Sequence, residues 1–108
     1  MISADTKVYG IIGNPVSHSL SPILQNTLAK EMNIDMSYSA FHVTENIKEA
    51  IKGAFALDIK GFNITIPYKK DMLEIVSDID DRARKIGAIN TLIKTENGYK
   101  GYNTDIIG

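Results

Sequence analysis

Three short polar clusters carry residue types that could do chemistry. The first is Gly13-Asn14-Pro15-Val16-Ser17-His18-Ser19-Leu20-Ser21-Pro22. It follows an apolar run and precedes a helix start, so it sits at the carboxyl end of a strand, where open α/β sheets bind ligands. The N–H groups and dipole of a helix N-terminus favour an anion, and Ser19 and Ser21 could hold a small carboxylate there. The plainer account makes Ser21 a helix cap and the other serines turn formers. His18 could act as a base, whereas a lone loop histidine is commonly solvated. The second cluster is Asn63-Ile64-Thr65-Ile66-Pro67-Tyr68-Lys69. Alternation puts Asn63 and Thr65 on one strand face, and Lys69 follows the strand end on the same rim. A lysine of lowered pKa can give a proton to a substrate oxygen or take one, and Asn and Thr offer neutral hydrogen bonds to hydroxyls. Otherwise Lys69-Lys70 is a solvated pair opening a helix, and Thr65 serves β propensity. The third is Gly87-Ala88-Ile89-Asn90-Thr91 with Asn103-Thr104-Asp105. Asn90, in an otherwise apolar strand, must find a partner in the protein or in a ligand. Asp105 stands at a helix start, where capping alone accounts for it. His42 receives no role, and no residue set is assigned to a metal.

The elements around these clusters must bring them to one rim. Val8 to Gly13 reads as a buried strand of a parallel sheet. Ser21-Pro22 starts a helix, with Ser at N-cap and Pro at N1. Its expected buried face is Leu24, Leu28 and Met32, with Ile23 beside them. Met36 to Val43 is a second strand. Thr44 caps the next helix, which buries Ile47, Ile51 and Phe55. Phe62 to Ile66 alternates apolar and polar, as a strand with two different faces does, and Pro67 ends it. Short helices are expected over Lys69 to Val76 and Asp80 to Ile86, the latter closed by Gly87. Ala88 to Lys94 and Tyr99 to Asn103 are strands, and Glu96-Asn97-Gly98 between them signals a hairpin. The expected fold class is therefore α/β: a three-layer αβα arrangement with a mainly parallel sheet and a C-terminal antiparallel hairpin.

Composition bounds the function. The 108 residues carry 12 Lys+Arg against 13 Asp+Glu, a net charge of −1, and no cysteine. Disulfide scaffolds, zinc–thiolate sites and a cysteine nucleophile are excluded. Balanced charge argues against a dedicated nucleic-acid binder. No stretch approaches the ~20 apolar residues of a membrane span, and the first residues lack the apolar core of a signal peptide, so a cytoplasmic protein is expected. Neither G-x-G-x-x-G nor G-x-x-x-x-G-K-[ST] occurs. Thr104-Asp105 would cap a helix that Ile106-Ile107-Gly108 begins and does not continue. Residues 1–108 are thus expected to be one domain of something longer, with an apolar patch near Ile106 and Ile107 that could drive self-association.

Taken in order, these motifs resemble the N-terminal, substrate-binding domain of the shikimate dehydrogenase family. The resemblance covers essentially the whole chain. It rests on Gly13-Asn14-Pro15 with Ser17-His18-Ser19-Leu20-Ser21-Pro22, on Asn63 to Lys69, on Gly87-Ala88-Ile89-Asn90-Thr91-Leu92, and on Gly101-Tyr102-Asn103-Thr104-Asp105. It implies an NADP-dependent oxidoreductase that reversibly reduces 3-dehydroshikimate to shikimate, in aromatic amino-acid biosynthesis. By the same resemblance Ser19 and Ser21 bind the substrate carboxylate, and Thr65, Asn90 and Asp105 contact ring hydroxyls. Lys69 is the catalytic group, paired with Asp105, and Asn63 has a supporting part. The family holds NADP on a Rossmann-type domain after the Asn-Thr-Asp motif, so no cofactor-binding residue is expected in residues 1–108. These residues alone should bind substrate without turning it over. The expected partner is a small molecule, with no nucleic acid and no membrane, and with room for a homodimer. The competing readings are a quinate or dual quinate/shikimate dehydrogenase and a stand-alone small-molecule binding module. A phosphoacceptor signalling domain is disfavoured by the missing acidic cluster near the first strand.

Overall fold

The computed structural model describes residues 2–16 and 21–105. Along the chain run β1 (Lys7–Gly13), α1 (Ser21–Glu31), β2 (Met36–His42), α2 (Ile47–Ala56), β3 (Gly61–Ile64), α3 (Met72–Ile75), β4 (Asp78–Ile79), α4 (Asp81–Ile86), β5 (Thr91–Thr95) and β6 (Gly98–Tyr102). The six strands form one sheet in the order β2-β1-β3-β5-β6-β4. β1 has parallel neighbours on both sides, with Gly10 opposite Ser39 and Phe62. Parallel pairing needs a crossover, and α1 and α2 supply the two. β5 then runs antiparallel to both β3 and β6, and β4 pairs parallel with β6 at the edge. The hairpin turn is Glu96-Asn97, with Thr95 opposite Gly98. Gly98 takes φ 145°, a conformation that favours glycine.

The core lies on the face that Ile12, Phe62, Ile64, Leu92 and Tyr99 present, and Ile51, Ala54, Met72 and Ala83 of α2, α3 and α4 pack onto it. Its aromatic rings meet edge to face, Phe62 lying 5.8 Å from both Phe41 and Tyr99 and Phe55 lying 5.7 Å from Tyr99. That geometry is preferred over a flat sandwich because ring edges are positive and faces negative. The Asp80 carboxylate caps α4 by accepting from Arg82 N at 3.2 Å, and Gly87 ends it at φ 79°. Lys94 fastens the end of α2 to the hairpin, donating to Phe55 O at 3.1 Å and to Asp58 at 2.7 Å.

α1 lies on the opposite face, so helices clad both sides of a mixed sheet, as the sequence predicts. Which side α1 turns inward differs from expectation. Its one buried residue is Ala29, and Asn26 grips β2 by exchanging hydrogen bonds with the Tyr38 backbone at 2.8 and 2.9 Å. Ile23, Leu24, Leu28 and Met32 are exposed, at 68%, 58%, 46% and 67%. The small and polar stripe docks because Asn26 satisfies both backbone groups of a buried strand residue, which no leucine can do. Other differences are local. α2 is preceded by Asn46 in the left-handed region with no side-chain cap, so Thr44 is not its cap. The helix expected over Lys69 to Val76 shrinks to α3. β3 ends at Ile64, and Ile66 is 73% exposed on the turn that follows. β5 begins at Thr91, and the two-residue β4 has no counterpart in the sequence reading.

Candidate active site

The site begins where β1 and β3 end side by side. Thr65 N donates to Ile12 O at 2.9 Å and Asn14 N donates to Ile66 O at 3.0 Å, so the loop after Gly13 and the loop after β3 are stitched together. Gly13 makes this approach possible, since a Cβ there would lie 2.4 Å from Thr65 Cγ2 and 2.7 Å from Val16 Cγ1. Val43 N donates to Gly13 O at 3.2 Å. His42 Nε2 lies 2.6 Å from Asn14 Oδ1. An amide oxygen only accepts, so Nε2 brings the proton. His42, given no role from sequence, thus ties the end of β2 to the first loop. Its period-2 strand context gave no sign of this.

The second loop is fixed to the third cluster. Ile64 N donates to Asn90 O at 2.8 Å, and Ile89 N donates to Lys69 O at 2.8 Å. Asn90 N in turn donates to Tyr102 O at 3.0 Å. Tyr68 is buried beside Lys69 and anchors the turn from the other side, its hydroxyl donating to Val43 O at 2.5 Å. Lys69, Asn90 and the strand that leads to Asp105 are therefore held on one rim by consecutive backbone bonds.

Asp105 is placed by its neighbours. Its N–H donates to Asn103 Oδ1 at 2.9 Å, while Asn103 Nδ2 donates to Ala88 O at 3.1 Å. The Arg82 guanidinium donates to Asp105 O. Arg82 and Asn103 were not singled out by sequence reasoning as site residues. The only local signal was that Asn103 lies in the motif before Asp105. Lys69 and Asp105 are both exposed, and Thr65, Asn90 and Ser21 are half-buried. The ion pairs found among the described residues do not include Lys69. Asn63 has a partner in β2. Its Oδ1 accepts from the Tyr38 hydroxyl at 2.6 Å, and it lines an apolar cavity of about 450 Å³ beneath α1 with Tyr9, Met36 and Ile93. Burial pushes the Tyr38 hydroxyl pKa up, which keeps it a donor in this contact. Ser17, His18 and Ser19 lie outside the described residues, as do Ile106 and Ile107.

Such a rim offers a cation, an amide and a carboxylate on segments joined by backbone bonds, chemistry suited to a small polyhydroxylated ligand. Among the described residues, no group of three or more His, Asp or Glu side chains could hold a metal ion. The sequence holds no G-x-G-x-x-G spacing of the kind that cradles a dinucleotide pyrophosphate. No helix among them is long and apolar enough to cross a membrane.

Known proteins share this fold. The sequence profile of the shikimate dehydrogenase substrate binding domain matches residues 11–92. The chain is 46% identical over 108 residues to a shikimate dehydrogenase (NADP(+)) of Pyrococcus furiosus, which covers all of this chain and 40% of that protein. It superposes with a TM-score of 0.93 on the crystal structure of shikimate dehydrogenase from Aquifex aeolicus, at 42% identity, covering 99% of this chain and 41% of that one. A shikimate 5-dehydrogenase of Listeria monocytogenes, solved in complex with shikimate and NAD, gives a TM-score of 0.91 at 30% identity, covering 96% of this chain and 36% of that one. The chain thus spans about 40% of the length of the curated relatives it matches. With most of its length matched by that profile, the chain belongs to the family of shikimate dehydrogenase substrate-binding domains.

Proposed function

We propose that residues 1–108 form the substrate shelf of an NADP-dependent shikimate dehydrogenase, which interconverts 3-dehydroshikimate and shikimate. The observation that carries this reading is the set of backbone bonds holding Lys69, Asn90 and the approach to Asp105 on one rim, in a chain of this family. Ser19 and Ser21 take the substrate carboxylate. Thr65, Asn90 and Asp105 take ring hydroxyls.

When bound by the complete protein, NADPH supplies the hydride. As the C3 ketone gains that electron pair, negative charge builds on its oxygen. A cationic Lys69 stabilises the charge and passes a proton to the oxygen, which completes the alcohol. In the reverse direction Lys69 takes the proton back. Asp105 orients the ammonium. On this reading residues 1–108 alone bind substrate and do not turn it over. On this reading the protein acts on a small molecule in the cytoplasm, without nucleic acid or membrane, and self-association to a homodimer is compatible with it.

The test is turnover by the complete protein that the gene encodes, following NADPH formation from NADP+. Shikimate is expected to be oxidised with a higher kcat/KM than quinate. No oxidation of shikimate would overturn the reading, and a preference for quinate would replace it with a quinate dehydrogenase.

A further inference from the structure

Asn90 is held more completely than a ligand-contacting amide needs to be. Its backbone N–H and C=O are bonded to Tyr102 O and Ile64 N. Its side-chain oxygen accepts from the Thr91 hydroxyl at 2.9 Å, from Thr104 N at 3.0 Å and from the Thr104 hydroxyl at 3.3 Å. A carbonyl oxygen has two lone pairs, and the two shorter bonds occupy both. The direction of the amide is fixed by the backbone N–H of Thr104, which can only donate. Turning the amide over would set its NH2 hydrogens against that N–H and leave a donor facing a donor.

We propose that Asn90 meets its ligand only as a hydrogen-bond donor, and that Thr91 and Thr104 are positioning residues that set this polarity. The proposal rests on the substrate-shelf reading above and adds the direction of the bond. A substrate hydroxyl against Asn90 must accept from Nδ2, and its own proton must then go to another group. Asp105 directly follows Thr104, and an ionised carboxylate only accepts. With Asp105 as the second contact of the substrate-shelf reading, the hydroxyl receives a bond from the amide and gives one to the carboxylate. A group that can accept without donating loses one of the two bonds, and a group that can only donate meets the amide N–H head on. Neither Thr91 nor Thr104 needs to touch the substrate for this.

The experiment uses the complete protein, with shikimate varied at saturating NADP+. Turnover by the unsubstituted protein comes first, because its absence would refute the substrate-shelf reading rather than the polarity. Asn90→Asp keeps an oxygen for the same three donors and replaces the NH2 with an acceptor. Its KM for shikimate is expected to rise at least about 10-fold, the cost of one lost hydrogen bond to a polar partner. The paired variant Thr91→Val/Thr104→Val removes both hydroxyl donors and keeps the backbone bond. Its KM is expected to rise about 3- to 10-fold with kcat within 2-fold of wild type, and Thr91→Ser/Thr104→Ser is expected to restore the wild-type KM. A merely structural role would not separate KM from kcat or serine from valine. A folded valine pair with wild-type KM, or an Asn90→Asp protein with unchanged KM, would overturn the proposal. If Asn90→Asp does not fold, the valine and serine pairs decide it.

Discussion

At the scale of single residues, the site is held by groups that never touch a ligand. Gly13 has little tolerance for a side chain. A methyl there would meet Thr65 Cγ2 at 2.4 Å and Val16 Cγ1 at 2.7 Å, and the Ile66 carbonyl oxygen at 3.1 Å. Gly13→Ala must push apart two stitched loops, and overpacking of this kind costs about 1–3 kcal/mol. Chemical denaturation of Gly13→Ala is expected to read a loss in that range, together with weaker shikimate binding because Thr65 moves. An unchanged midpoint would mean that the loops are free to separate. The residues of the site were legible in unequal measure. Lys69 and Asp105 could be picked out as polar groups at element ends, and Asn90 as an amide in an otherwise apolar strand. Their convergence came from family resemblance, because no spacing rule connects residues 69, 90 and 105. The bonds that His42, Asn103 and Arg82 make were invisible, since each joins residues distant in sequence or depends on side-chain direction.

At the scale of elements, burial decides which expectations survive. Leu92 of β5 is fully buried, while Leu28 of α1 is 46% exposed. Leu92→Ala is expected to cost about 2–5 kcal/mol, and Leu28→Ala about 0.5 kcal/mol or less. Equal losses in urea unfolding would contradict the docking of α1 through Ala29 and Asn26. The other exposed tie is Asp58 at the end of α2. Hydrogen bonds from Lys60 and Lys94 lower its pKa from 3.8 to about 2. A carboxylate lowered in the folded state stabilises fully above its unfolded pKa, and that contribution fades as pH falls through the folded value. The difference in urea midpoint between wild type and Asp58→Asn is therefore expected to hold steady above pH 4 and to shrink between about pH 4 and pH 2. A difference independent of pH would remove Asp58 as a charged staple. Salt weakens the same effect, because the group is solvent-exposed. Elements with local signals were read well. β1, the Glu96-Asn97 hairpin and α4 with Asp80 and Gly87 at its ends all carry their own punctuation. The two-residue β4 exists only because β6 pairs with it. The inward side of α1 is likewise chosen by the partner strand, through Tyr38, so a leucine stripe read as core ends in solvent.

At the scale of the whole molecule, the two faces of the sheet are unequal. One is closed by α2, α3 and α4 over a continuous core. The other carries α1 at the β2 side and an apolar cavity of about 450 Å³ over β1, β3 and β5. The candidate site uses neither face. It runs along the rim where β1 and β3 end and where the segment after β6 arrives, with Lys69 and Asp105 exposed there and Thr65 and Asn90 half-buried. That division of labour makes the catalytic claim separable from stability, because Lys69 is exposed. The most direct measurement is steady-state shikimate oxidation by the complete protein carrying Lys69→Ala, beside wild type. With Lys69 as the group that exchanges a proton with the substrate oxygen, kcat is expected to fall about 10²- to 10⁴-fold, with the melting temperature unchanged and the KM for shikimate altered only a few-fold. A Lys69→Ala protein that turns shikimate over at the wild-type rate would contradict the account.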